Sequence, residues 1–271
     1  MLPTICIGSR HFTRLIIGGN PFSGGSHLSP EMDREFMDYY TNANIVAALL
    51  EAERHGINTF LGRGDRHIQR ALREYYNAGG TMQWIAQTAS ELRDLPGHIR
   101  QVAAAGAVGI YHHGSRTDAL WAEGRLDEVQ ELLKVMRDCG VLVGLGTHHP
   151  EVIEYAEEHN WDVDFYMACL YTLGGHRSGD GYVASGGTPN ETYDDADREA
   201  MAAVLRATDK PCLAFKILAA GRKCGSAEEV REAFRWAFAN IKPTDAVVVG
   251  VYQKHVNQLA MNAAFTREFA V

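Results

Sequence analysis

The chain has 271 residues, 46% of them hydrophobic and 22% charged, and a formal net charge of −8; this is ordinary for a globular protein with a sizeable core, and no run approaches the roughly 18 unbroken apolar residues of a membrane span. The 26 Lys and Arg are scattered, which argues against nucleic acid or an anionic membrane as the main partner and in favour of a small molecule. Five widely separated cysteines form neither a CxxC metal site nor a disulfide framework and read mostly as reduced core residues, and Met1-Leu2-Pro3-Thr4 opens no signal or transit peptide, so a cytoplasmic protein is expected.

Thr4-Ile5-Cys6-Ile7, then Gly8-Ser9-Arg10 and Arg14-Leu15-Ile16-Ile17, read as a hairpin arm leading into a first buried strand that ends at Gly18-Gly19-Asn20-Pro21. The polar, Gly-rich residues 22–35 lack a period and are expected to be a loop. Thr41 or Asn42 then caps a helix with Ile45, Val46, Leu49, Leu50 and Ala52 inward, stopped by Gly56. The pattern repeats as strand 58–61 with helix 65–76, and strand 83–86 with a helix ending at Ala105-Gly106.

Two strands that each end in a histidine pair follow. Val108-Gly109-Ile110-Tyr111 leads into His112-His113, and Val141-Leu142-Val143-Gly144-Leu145-Gly146 leads into Thr147-His148-His149-Pro150. Between them Leu126, Val129, Leu132, Leu133 and Met136 recur at spacings of three and four, one helix stopped by Cys139-Gly140. Helix 152–159 and strand 164–170 come next, and then the rhythm breaks at a long Gly-rich segment, 173–195. Helix 196–207, strand 211–217, helix 227–238, strand 246–250 and a last helix over 254–265 complete the chain.

Eight strand-helix units without a composition shift predict one parallel sheet, closed as a (β/α)8 TIM barrel in a single α/β domain over 1–271, with 173–195 acting as a lid. The rival is a doubly wound open sheet. Against it, no GxGxxG follows the first strand. In a barrel the chemistry gathers at the strand ends. These are Asn20, Arg63 and Asp65, Gln87 and Thr88, His112 and His113, Thr147 and His148, Cys169 and Tyr171, Lys216, and Tyr252. That lining is polar and mixed in charge, and suits a polar metabolite better than a lipid.

At these residues the chain resembles the aldo-keto reductase superfamily over most of its length. Residues 12–22 look like that family's opening hairpin and first strand, Gly56-Ile57-Asn58-Thr59-Phe60 like its second strand, 144–151 like its fifth, and Lys216-Ile217-Leu218-Ala219-Ala220-Gly221 like its seventh with the following loop. The resemblance implies a reductase with an Asp-Tyr-Lys-His set and an NADPH cofactor. Here the aspartate position falls on Leu61, the tyrosine near Arg66 and the lysine on Thr88, and only the histidine survives, as His112. The family's cofactor-binding Ser-Asn pair falls on Gly146-Thr147, its glutamine on Met167 and its ring-stacking tyrosine on Leu170, while Val251-Tyr252-Gln253-Lys254 match the adenine end poorly. NADP is therefore not expected as a cofactor.

Of the adjacent pair, only one histidine can face the barrel axis, and His112 is expected to be that one, either as an acid or base or as a hydrogen-bonded histidine of the cavity mouth. Pro150 fits the first helical position, making His149 a cap-region residue and His148 the pocket group. A divalent metal on His112, His148 and a carboxylate such as Asp65 is chemically reasonable, although the spacing matches no signature. Lys216 reads as proton carrier, anion anchor or Schiff-base nucleophile, and Asp65 as a base or a helix N-cap. Arg63 is either a substrate anchor or a solvated surface residue.

The reading that results is an enzyme performing acid-base chemistry, elimination or isomerisation, on a small polar carbonyl or sugar-like metabolite. His112, Lys216 and Asp65 would be catalytic, and Asn20, Arg63, His113, Tyr171 and Tyr252 would bind substrate. The alternatives are an NADP-dependent oxidoreductase and a non-catalytic small-molecule sensor.

Overall fold

A computed structural model of the chain describes residues 1–173 and 191–270. It begins with an antiparallel hairpin, β1 (Thr4–Ile7) and β2 (Arg10–Thr13), paired from Thr4 with Thr13 to Ile7 with Arg10. Eight parallel strands then close on themselves: β3 (Leu15–Gly18), β4 (Thr59–Arg63), β5 (Gln83–Gln87), β6 (Gly109–His112), β7 (Leu142–Thr147), β8 (Phe165–Cys169), β9 (Cys212–Phe215) and β10 (Ala246–Gly250). The ring runs in chain order and seals where β10 pairs with β3, Val247 beside Leu15 and Gly250 beside Gly18. Arg14 fastens that seam by donating through Nε to the Asp245 carbonyl and through Nη2 to the Lys242 carbonyl, each at 2.9 Å. This is a (β/α)8 barrel.

The strands are apolar on both faces because each is covered twice. Inward residues Ile16, Leu61, Ile85, Tyr111, Phe165, Met167, Leu213 and Val248 fill the barrel, and Ile5, Ile7 and Phe12 of the hairpin join the same cluster from the amino-terminal end. Two glycines make room for the largest of these rings. A Cβ on Gly144 would meet Phe165 Cζ at 2.4 Å and Tyr111 Cβ at 2.7 Å, and one on Gly146 would meet the His112 carbonyl oxygen at 2.7 Å. The outward residues pack beneath amphipathic helices. In α3 (Arg66–Asn77), for instance, Ile68, Ala71, Leu72 and Tyr75 are buried at helical spacing.

The other helices are α2 (Asn42–Arg54), α4 (Leu95–Ala104), α7 (Pro150–Glu158), α8 (Asp195–Ala207), α9 (Ala227–Asn240) and α10 (Gln258–Phe269), each following a barrel strand. None of the described helices is long and apolar enough to cross a membrane. Thr41 caps α2 by accepting from the Asn44 amide, Pro150 opens α7, and His149 is its N-cap residue.

Two segments differ from the sequence reading. Residues 22–35 are not a plain loop: a 3-10 turn, Pro21–Ser23, precedes helix α1 (Pro30–Tyr39). Ser29 caps α1 by accepting from the Met32 amide, and Pro30 stands at the first helical position, a start signal that the lack of a long apolar period concealed. The connection between the histidine pairs holds two helices, α5 (Gly114–Ala122) and α6 (Val129–Asp138), with a short 3-10 turn between. Its first helix has little amphipathic contrast, so the apolar period in the sequence marks only the second. Cys169 and Cys212 are buried, whereas Cys6 and Cys224 are exposed and Cys139 is intermediate, so fewer cysteines are core residues than expected. Most of the Gly-rich segment expected as a lid, 174–190, lies outside the described residues.

Candidate active site

A cavity of about 530 Å³ opens at the carboxyl ends of the barrel strands. Asn20, His27, Gln87, His113, His148 and Lys216 are polar members of its lining, beside inward barrel residues such as Leu61, Met167 and Val248. Towards β9, β10 and β3 it continues as an apolar arm bounded by Leu28, Met32, Phe36, Val230, Val256 and Met261. The polar lining expected at the strand ends is thus joined by an apolar arm. Helix α1 contributes two of these apolar side chains and is tied to the mouth where the Tyr252 hydroxyl donates to Glu35 at 2.6 Å and Lys254 to the same carboxylate at 2.9 Å.

The best-defined polar group is a buried pair. His148 leaves the end of β7 towards the cavity, and its Nδ1 lies 2.6 Å from Oδ2 of Asp118 on α5. The same carboxylate accepts from the Thr147 hydroxyl at 2.5 Å and from the His148 amide at 3.2 Å. Burial alone would lower the proton affinity of His148, but Cys169 at the end of the neighbouring strand and the Asp118 carboxylate together raise it to about 9. Asp118 is in turn held below its usual range, since His148 and the Thr147 hydrogen bond outweigh its burial. Nδ1 is fixed on Asp118 and the ring also hydrogen-bonds Cys169, and near neutrality it is an imidazolium able to donate to a molecule in the cavity it lines.

His112 departs from expectation. Strand pleating puts Tyr111 and His113 on the inner face, so His112 turns outward with Ile110. It is wholly buried, its Nδ1 lies 2.8 Å from the Thr117 hydroxyl of α5, and it does not line the cavity. Burial and the Arg116 cation hold it down at about 4, so it is neutral across the physiological range. His113 takes the cavity position instead, well below its ordinary value because of burial and the cations near it, Arg63 first among them.

The remaining sequence-nominated residues divide. Asn20, Lys216 and Tyr252 line the cavity. Lys216 does so at φ 61°, in the left-handed region that a lysine seldom adopts, and such strain gathers where function holds the backbone. Asp65 does not reach the cavity: it caps α3, accepting from the Ile68 amide at 2.9 Å, and pairs with Arg63 Nε at 3.2 Å. Arg63 also pairs with Glu91 and stands beside the cavity, not in its lining. Tyr171 is buried away from the cavity, its hydroxyl 3.5 Å from Asp195. The metal set of His112, His148 and Asp65 is dispersed by these same bonds, and among the described residues no three His, Cys, Asp or Glu side chains are grouped to hold an ion.

Sequence reasoning missed Asp118 and a second cluster. His27, in the turn between Asn20 and α1, places Nδ1 3.2 Å from Glu191, which also accepts from the Tyr193 hydroxyl at 2.8 Å. Lys216 lies in the same cluster, acting on both His27 and Glu191, with Nζ 5.8 Å from the Tyr193 ring centroid. No local motif marks it, for His27 and Glu191 are 164 residues apart.

No family model matches the sequence, and no curated protein is similar to it. Solved structures share the architecture at low identity. The glycerol dehydrogenase AKR11B4 from Gluconobacter oxydans is 13% identical over 98% of this chain and 89% of that one, with a TM-score of 0.57. Gox0644 in its apo form is 10% identical over 97% and 87%, with a TM-score of 0.63. A truncated 3-deoxy-D-arabino-heptulosonate 7-phosphate synthase from Thermotoga maritima is 16% identical over 98% and 90%, with a TM-score of 0.54. At these identities the likeness is one of fold.

Proposed function

We propose that this protein is an enzyme that moves protons on a small oxygen-bearing metabolite, a carbonyl or sugar-like compound, in an isomerisation or elimination. The observation that carries the reading is the Asp118–His148 pair: a buried carboxylate fixes one imidazole nitrogen and turns the other to a cavity at the strand ends, where barrel enzymes keep their chemistry. Lys216 supports it, since a cation lining the same cavity can stabilise the oxyanion that forms when a carbon next to a carbonyl loses a proton. The barrel agrees with the fold that the sequence resemblance implies, while the departures at Leu61, Thr88, Gly146, Met167 and Leu170 favour proton transfer over hydride transfer.

The test is hydrogen exchange. With acetoin and D-fructose in deuterated buffer, the protein should accelerate loss of the NMR signal of the hydrogen on the carbon beside the carbonyl. His148→Asn should slow that exchange by roughly 10²–10⁴-fold for at least one enantiomer of acetoin while keeping cooperative melting. Unchanged exchange in the folded variant would overturn the reading.

A further inference from the structure

His148 is not alone in being a cavity-lining imidazole clamped through Nδ1 by a buried carboxylate. His27 repeats the arrangement: it lines the same cavity, its Nδ1 faces Glu191, and the Glu191 side chain is 1% exposed, against 3% for Asp118. Its Nε2 lies 3.4 Å from the Asn20 side-chain amide, which also lines the cavity. The two come from opposite sides of the ring, His148 from the end of β7 and His27 from the turn after β3, four strands away in either direction. His27 is held at φ 58°, in the left-handed region that few non-glycine residues adopt.

We infer that His27, positioned by Glu191, is a second catalytic residue that works with His148 as a two-base pair on opposite faces of one carbon, which makes the reaction an epimerisation or isomerisation of an acidic C–H next to a carbonyl. The inference rests on the reading of His148 above.

The environments of the two rings support opposite roles. Burial and the Lys216 cation lower the proton affinity of His27, and the single Glu191 carboxylate, shared with Lys216 and Tyr193, does not restore it; His148 also faces His27 and lowers it further. His148 is raised. A pair of titratable groups pushed apart in this way divides naturally into base and acid. His27 Nε2 takes the proton from carbon, and the C–H electron pair moves into the carbonyl, leaving an enolate oxygen for the Lys216 ammonium to stabilise. The His148 Nε2 proton is then delivered to the other face of the carbon as the electron pair returns from oxygen. The product has inverted configuration, His27 is charged and His148 neutral, and exchange with water resets them. The apolar arm past Leu28 and Met32 indicates that the substrate carries an apolar group beside its polar head.

The two enantiomers of 1-hydroxy-1-phenylpropan-2-one, which join an α-hydroxyketone to a ring, are suitable probes. In deuterated buffer the full chain should exchange the carbinol hydrogen of both. His27→Asn, chosen because Asn tolerates the left-handed backbone, should slow exchange of one enantiomer by roughly 10²–10⁴-fold and leave the other within about threefold. Glu191→Gln, which removes only the positioning charge, should shift the acid limb of the pH profile to lower pH, a change that a purely structural role would not produce. Equal loss for both enantiomers, or loss for neither, in folded His27→Asn overturns the second base while leaving His148 in place. A wild-type chain that exchanges neither enantiomer, nor acetoin nor D-fructose, overturns the reading of His148 and the pair with it.

Discussion

The ends of β6 and β7 carry the same two letters and use them in opposite order. At β6 the first histidine, His112, turns out to Thr117 and the second, His113, lines the cavity; at β7 the first, His148, lines the cavity and the second, His149, is the N-cap residue of α7. The cause lies below the pairs. Tyr111 ends the inner face of β6 one position before His112, whereas Gly144 and Gly146 are the inner positions of β7 and put His148 next in the alternation. A histidine at a strand end is therefore assigned by the parity of the core residues preceding it, and a family position that falls on His112 does not override that parity.

Helix α5 serves both pairs, through Thr117 to His112 and Asp118 to His148, so each half of the comparison can be broken separately. The largest effect is expected from Asp118→Ala. It strips a charged acceptor from Thr147 and from both His148 donors, and should cost about 3–5 kcal/mol in urea unfolding. A loss below about 1 kcal/mol would mean that the pair is open to water.

Next comes pH. His112, at about 4 when folded and near 6.5 when unfolded, takes up more protons in the unfolded chain between those values, so stability should fall as pH drops from 6.5 towards 4, by roughly 3 kcal/mol. His148 behaves oppositely. Its contribution is complete below about 6.5 and is lost as pH rises through about 9. Unfolding measured across both windows should show two limbs, with only the alkaline one reduced by His148→Asn; an unaltered alkaline limb would contradict the raised proton affinity.

The smallest effect belongs to Thr117→Val, which keeps the shape but leaves His112 Nδ1 buried without its partner. About 1–3 kcal/mol should be lost, with no change in exchange activity. A fall in activity comparable to that of His148→Asn would return His112 to the chemistry.

These contrasts also mark what the sequence could convey. The barrel was legible because strand and helix periods are local, and runs such as Ala246-Val247-Val248-Val249-Gly250 against Val230, Ala233, Phe234 and Ala237 announce themselves. Lys216 and His148 were legible for the same reason, as polar residues where an apolar run stops. Asp118 was not, because it lies inside a short helix with little amphipathic contrast, flanked by Thr117 and Ala119. His27 and Glu191 acquire meaning only when the turn after β3 meets the chain beyond β8, a contact with no trace in either neighbourhood.

The hairpin of β1 and β2 leaves one more consequence. Ile5, Ile7 and Phe12 stopper the amino-terminal end of the barrel, and Gly8 comes close enough to Leu142 that a Cβ there would sit 3.1 Å from its side chain. Among the described residues, the barrel interior is thus closed at that end and opens at the strand ends. A product leaving the cavity and the water that renews the protons on His27 and His148 would then share that mouth, so release and resetting would take place by one route.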